Sequence, residues 1–146
     1  MKRIALLLIL SLTLVASSRA DENDITKKKP AVTKNGFHPN LDIQSALAKA
    51  KKDKKVVLVD FTAKWCGFCR LLDQRTFSQK KVQDWMVKNT IAIKVDVDKV
   101  KGVFRKYKIQ GVPCLIFLNP DGSEKSRIEG YLPADRFLKM AKRKIQ

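Results

Sequence analysis

The chain of 146 residues is long enough for one domain built on one hydrophobic core. Its 31 Lys and Arg against 14 Asp and Glu give a formal charge of +17, which favours long-range attraction to acidic proteins, anionic lipid or nucleic acid. The basic residues are spread through Lys27 to Lys29, Lys49 to Lys55, Lys80-Lys81 and Lys142 to Lys144, with no interleaved aromatics and no nucleic-acid motif. They read as a solvated basic surface, and nucleic acid is not expected as a partner.

The N-terminus opens Met1-Lys2-Arg3, continues as an unbroken apolar run from Ile4 to Leu10, and reaches Ser17-Ser18-Arg19-Ala20. A charged start, an apolar middle and small residues at 18 and 20 predict a signal peptide over residues 1–20. The alternative is an uncleaved anchor, but Ile4 to Ala16 is short for a span of about 20 residues. No cysteine follows the apolar run, so lipid modification of a new N-terminal Cys is not expected. The expectation is an exported protein starting near Asp21, periplasmic in a Gram-negative source and otherwise secreted, with no stable membrane insertion after cleavage. Loss of Lys2, Arg3 and Arg19 leaves 28 basic and 14 acidic residues, a charge of +14. Residues 21–40 are polar, with Lys27-Lys28-Lys29-Pro30 and Asn35-Gly36 as breakers, and predict an irregular arm. His38 is the single histidine; with no partner motif nearby, it is assigned a surface or packing role.

Residues 41–146 carry the domain. Ile43, Ala46, Leu47 and Ala50 recur at helical spacing behind Asn40 or Asp42 as cap, and Lys51 to Lys55 ends that helix. Val56 to Thr62 is nearly continuous in apolar character, which predicts a central strand buried on both faces. Asp60 interrupts it. A carboxylate there costs free energy unless paired or protonated, and burial would raise its pKa into a useful range; the alternative is an acid at the strand end, facing water.

Trp65-Cys66-Gly67-Phe68-Cys69-Arg70 follows where strand hands over to helix. Cys66 then lies at the helix N-terminus, where free N–H groups and the helix dipole stabilise a thiolate. Cys69 is one turn along the same face, within reach of the first sulfur. CxxC alone is a weak signal, shared with incidental pairs and half zinc sites; the flanking strand and helix strengthen it.

The helix is predicted to reach about Arg75 and to break or kink at Thr76-Phe77-Ser78. A second helical piece spans about Gln79 to Lys88, with Val82, Trp85 and Met86 on one face. Ile91 to Val97 alternates as a strand with one polar-leaning face. Val100, Val103, Phe104 and Tyr107 predict a helical core stripe. Ile109 to Pro113 leads into a buried strand, Cys114 to Leu118, whose first position tolerates the proline before it. Asn119-Pro120-Asp121-Gly122 is a turn, Ser126 to Ile128 a short edge strand, and Pro133 opens a last helix with Ala134, Phe137, Leu138, Ala141 and Ile145 on one face. The order predicts an α/β fold, a mixed sheet covered by helices on both faces.

Val59 to Cys69 resembles the active-site strand and loop of the thioredoxin superfamily, and Gly111-Val112-Pro113 resembles its cis-proline loop. The resemblance covers roughly Leu41 to the C-terminus. Arg70-Leu71-Leu72 and Thr76-Phe77-Ser78 are most similar to periplasmic members such as the C-terminal domain of the DsbD reductase. Arg70 departs from the lysine common after the second cysteine but keeps the charge. The resemblance implies a thioredoxin fold and a thiol–disulfide oxidoreductase in which Asp60 moves a proton to or from Cys69 through water. It implies that Lys94 neighbours this acid, that Val112–Pro113 is cis, and that the Val112 backbone pairs with the substrate chain. Gly130 matches a glycine that lets substrate approach, and Trp65, Gly67 and Phe68 fall in the docking surface.

On this reading Cys66 is the attacking thiolate, which needs exposure, and Cys69 the protected resolving thiol. Gly67-Phe68 offers no imidazole between the cysteines, which leans toward a reductase, whereas Lys64 and Arg70 would stabilise the thiolate and lean the other way. Expected partners are protein thiols or disulfides and a redox partner protein; a monomer without cofactor is expected. Cys114 departs from the threonine common after the cis proline. It is either a small buried apolar residue, a third thiol able to trap Cys66 or Cys69, or the third ligand of a metal site. That last option is the alternative function, a metal-binding or metallochaperone module using Cys66, Cys69 and Cys114.

Overall fold

The computed structural model describes residues 32–145; the predicted signal peptide and the arm up to residue 31 lie outside the described residues. The elements in chain order are α1 (Ile43–Asp53), β1 (Val56–Thr62), α2 (Gly67–Leu72), a π-helical turn (Asp73–Phe77), α3 (Lys80–Asn89), β2 (Thr90–Asp96), α4 (Val103–Lys106), β3 (Cys114–Leu118), β4 (Glu124–Glu129) and α5 (Ala134–Ile145). Asp42 caps α1, its carboxylate accepting from the Ser45 N–H at 2.7 Å. Lys54 closes the helix in the left-handed region, at φ 53°.

The four strands run in the order β2-β1-β3-β4. β1 pairs parallel with β2, Val59 opposite Ile93, and antiparallel with β3, Val59 opposite Ile116. A strand with neighbours on both sides and helices on both faces has no wet side, which is why β1 is apolar almost throughout. Val57, Val59 and Phe61 pack on one face with Ala46 and Ala50 of α1 and with Ile116. Leu58 packs on the other with Leu72, Phe77, Met86, Phe117 and Phe137. Phe77 stands edge-on to Phe37 and Phe137, at ring separations of 5.0 and 5.6 Å.

Several expectations are refined. The helix after Cys69 departs from α geometry earlier than Arg75: from Asp73 it widens into the π turn, which buries Thr76 and Phe77, and the Thr76 hydroxyl donates to the Leu132 carbonyl at 2.5 Å. β2 keeps the polar-leaning face that the alternation predicts, with Lys94 exposed and Asp96 half-buried, but only in its second half. Ala92 is fully buried and Lys94 is its one exposed residue, because Phe37 forms a parallel bridge to Ala92 and covers that edge. Phe37 and His38, at the end of the stretch expected to be an irregular arm, are therefore core residues, with the His38 N–H on the Ala92 carbonyl at 2.8 Å. The stripe after β2 shrinks to one turn. Gly102 at φ 75° starts α4 and Lys108 at φ 50° follows it, so Val103 is buried while Val100 and Phe104 stay 44% and 39% exposed. Finally, β4 is longer than the three residues expected, running from Glu124.

Candidate active site

β1 delivers its chain to the site at Thr62, and Ala63 to Trp65 make the turn into α2. Cys66 is the N-cap of α2: its Sγ accepts the Cys69 N–H at 3.0 Å, and its carbonyl accepts the Arg70 N–H at 3.3 Å. A sulfur in this position takes the place of the oxygen that usually caps a helix, so negative charge on it meets an N–H that has no partner within the helix. Cys66 and Cys69 are joined as a disulfide, with Cα atoms 5.3 Å apart. The helical i, i+3 spacing alone brings them to that distance.

In this oxidised state Cys66 is 4% and Cys69 3% exposed. Cys66 faces the Val112 loop, its Sγ 3.5 Å from the Val112 carbonyl oxygen. Val112–Pro113 is cis. What faces solvent is the aromatic pair on either side, Trp65 at 66% and Phe68 at 64%. Gly67 is exposed between them and the Arg70 side chain, whose Nη1 donates to the Lys64 carbonyl at 2.9 Å. The Trp65 indole N–H donates to Asp98 at 3.3 Å, which ties the ring to the loop after β2. Gly130 lies across the Pro113 loop: its N–H donates to the Pro113 carbonyl at 2.9 Å, and its φ of 78° is one that glycine adopts without penalty.

Asp60 is buried. Its Oδ2 accepts from Lys94 Nζ at 2.5 Å, and its Oδ1 has no partner. Burial raises its pKa, with the Lys94 charge opposing. Lys94 stands opposite Asp60 on the neighbouring strand and reaches Asp73 as well, at 2.6 Å. It is raised in pKa, the two carboxylates outweighing its own desolvation. Its ammonium also lies 4.6 Å from the centre of the Phe37 ring. A shallow cleft of about 290 Å³ lined by Thr62, Lys64, Cys69, Arg70, Asp73 and Asp96 connects the second cysteine to this charged group.

Sequence reasoning missed Asp73 and Asp98. The first was within reach: it lies four residues after Cys69, on the same face of a helix. Asp98 sits in a loop, and no local pattern points it at Trp65. Cys114 is fully buried in β3, opposite Phe61, and burial pushes its thiol up to about 11. Among the described residues no three His, Cys, Asp or Glu side chains are grouped so as to hold a metal ion.

Residues 43–145 match the family described as a thioredoxin-like domain. The chain belongs to the thioredoxin-like family. It is 34% identical over 93 residues to a thioredoxin H-type of Oryza sativa subsp. indica, covering 64% of this chain and 72% of that one. It is 40% identical over 90 residues to the thiol:disulfide interchange protein DsbD of Campylobacter jejuni, covering 58% of this chain but only 15% of the much longer DsbD. The C-terminal domain of Neisseria meningitidis DsbD in its reduced form superposes with a TM-score of 0.58 at 26% identity, over 70% of this chain and 93% of that domain. Thioredoxin-like relatives together with the bonded Cys66–Cys69 pair make this chain a thiol–disulfide oxidoreductase.

Proposed function

We propose that the protein is an exported thiol–disulfide oxidoreductase that reduces disulfides in other proteins, acting as a monomer and recharged by a redox partner protein. The observation that carries this is the placement of one disulfide under two exposed aromatics, with a helix N–H aimed at Cys66. Export rests on the charged, apolar, small-residue pattern of residues 1–20.

In the reduced protein the Cys66 thiolate attacks one sulfur of a substrate disulfide. The Cys66–substrate bond forms as the substrate S–S bond breaks, and the other substrate sulfur leaves as a thiolate that takes up a proton. Cys69 then loses its proton through water to the Asp60 carboxylate and attacks Cys66. The substrate's second sulfur leaves, and the Cys66–Cys69 bond closes. The substrate gains two electrons and the CxxC pair loses two. Trp65, Gly67 and Phe68 form the docking surface, and the Val112 backbone pairs with the substrate chain. The Lys94 ammonium opposes the rise that burial gives the Asp60 pKa.

Reduction rather than oxidation is supported by the absence of an imidazole between the cysteines. Known CxxC couples span about −270 to −120 mV, and about 30 mV corresponds to about 1.4 kcal/mol. The test is twofold. Cys66→Ser must lose insulin-disulfide turnover, and the Cys66–Cys69 couple must equilibrate with a dithiol buffer toward the reducing end of that range. Undiminished turnover in Cys66→Ser refutes the exchange chemistry. A couple near −120 mV leaves the chemistry standing but makes the protein an oxidant.

A further inference from the structure

At the opposite end of the sheet from the cysteines, the surface carries a hollow of about 550 Å³. Lys51, Lys54, Lys55 and Lys88 stand around it, and Val56, Pro120 and Ile145 form an apolar floor. Val56 begins β1 and Thr62 ends it on the way to Cys66, so about 20 Å of strand separates the hollow from the site. No acidic residue lines it among the described residues. Lys142, Arg143 and Lys144 fill the last turn of α5, which ends at Ile145 beside it.

Part of this charge follows from helix ends. α1, α3 and α5 each carry basic residues in the last turn, where cations favour the negative end of the dipole. Lys54 and Lys55 lie beyond α1, however. Lys55 is held in place by its Nζ on the Val87 carbonyl at 2.7 Å, so its charge is fixed at the rim rather than swinging in solvent.

We propose that this lysine-lined pole docks the domain onto an anionic phospholipid surface, with the CxxC pair facing away from it toward protein substrates. The residue types select the partner. All four rim cations are lysines, compact point charges suited to a diffuse field of lipid phosphates, not the arginine forks used for fixed bidentate contacts. No aromatic residue lines the hollow for base stacking or to anchor a protein interface. Juxtaposed lysines of this kind adsorb to anionic bilayers additively and in a salt-dependent manner. Such docking is independent of the thiol chemistry.

The test is co-sedimentation of the full chain, freed of residues 1–20, with vesicles of phosphatidylcholine alone or mixed three to one with phosphatidylglycerol, at about 0.1 M salt. Wild type should partition onto the mixed vesicles only. The triple variant Lys51→Gln, Lys54→Gln, Lys88→Gln should lose on the order of 100-fold in partitioning, about fivefold per lysine. The triple variant Lys101→Gln, Lys125→Gln, Lys139→Gln, equal in charge but outside the hollow, should lose less than tenfold. Both should keep insulin turnover, which shows the fold intact. Equal losses in the two variants would mean that net charge alone acts and would overturn the proposal. So would failure of wild type to sediment with the mixed vesicles, or lysine-dependent binding to duplex DNA or to an acidic polypeptide without vesicle binding.

Discussion

Asp60→Asn should make the oxidised protein more stable at neutral pH while slowing exchange. The wild-type carboxylate is buried, one oxygen has no partner, and its counter-ion Lys94 is shared with Asp73. An amide of the same shape removes the buried charge, and Lys94 keeps Asp73. Replacing a buried, imperfectly paired charge in this way stabilises by about 1–3 kcal/mol, or roughly 4–10 °C in Tm for a domain of this size. The sign of the pH dependence follows from the raised pKa of Asp60. The folded state holds the Asp60 proton more tightly than the unfolded chain, so wild type loses stability as pH rises from the unfolded pKa, about 3.9, through the folded one. The gap between variant and wild type should therefore be small near pH 3.5 and open toward pH 7 and above. Thermal unfolding of both proteins across that range, followed by circular dichroism, reads it directly. Insulin turnover should fall by about 100-fold if Asp60 takes the Cys69 proton. A less stable Asn variant at pH 7, or a gap that does not vary with pH, would show that the Lys94 pair outweighs the burial of the charge and would refute this reasoning.

Cys69→Ser should accumulate a mixed disulfide between Cys66 and substrate, seen as a mass increase on non-reducing analysis, because the resolving sulfur is gone. In the oxidised native protein Cys114 should resist iodoacetamide at pH 8 and react within minutes in guanidinium, as a buried thiol with a pKa of about 11 requires; rapid labelling of the native protein would contradict its placement in β3. Gly130→Ala should cost about 1–2 kcal/mol in denaturant unfolding, because a Cβ there meets open space and the penalty is that of a positive φ alone; a loss above about 4 kcal/mol would point to a steric clash instead.

The strand–CxxC–helix junction was legible because its determinants are local. The apolar run Val56 to Phe61 could be satisfied only by burial on both sides, and the i, i+3 spacing of Cys66 and Cys69 brings two sulfurs together in any helix. The acid at position 60 was conspicuous for the same reason, a charge inside an apolar strand. The alternation of β2 held at Lys94 and Asp96 and failed only at Ala92, which pairs with Phe37, a residue in a stretch with no pattern of its own. The helical stripe from Val100 to Tyr107 misled because Gly102 and Lys108, in the left-handed region, confine the helix to one turn.

From its amino-acid order alone, the chain determined which segments had to be buried, where the helices other than α4 begin to within a residue or so, and that two cysteines would meet at a helix N-terminus. Only the folded arrangement decided that Lys94 is shared between Asp60 and Asp73, that Trp65 is tethered to Asp98, that the Val112 carbonyl sits over Cys66, and that lysines from the ends of α1 and α3 line one hollow. These side-chain contacts join residues from 21 to 46 positions apart, and their geometry depends on strand order and helix packing. No window along the chain carries that information, since the free energy that selects it comes from the burial of both sheet faces at once.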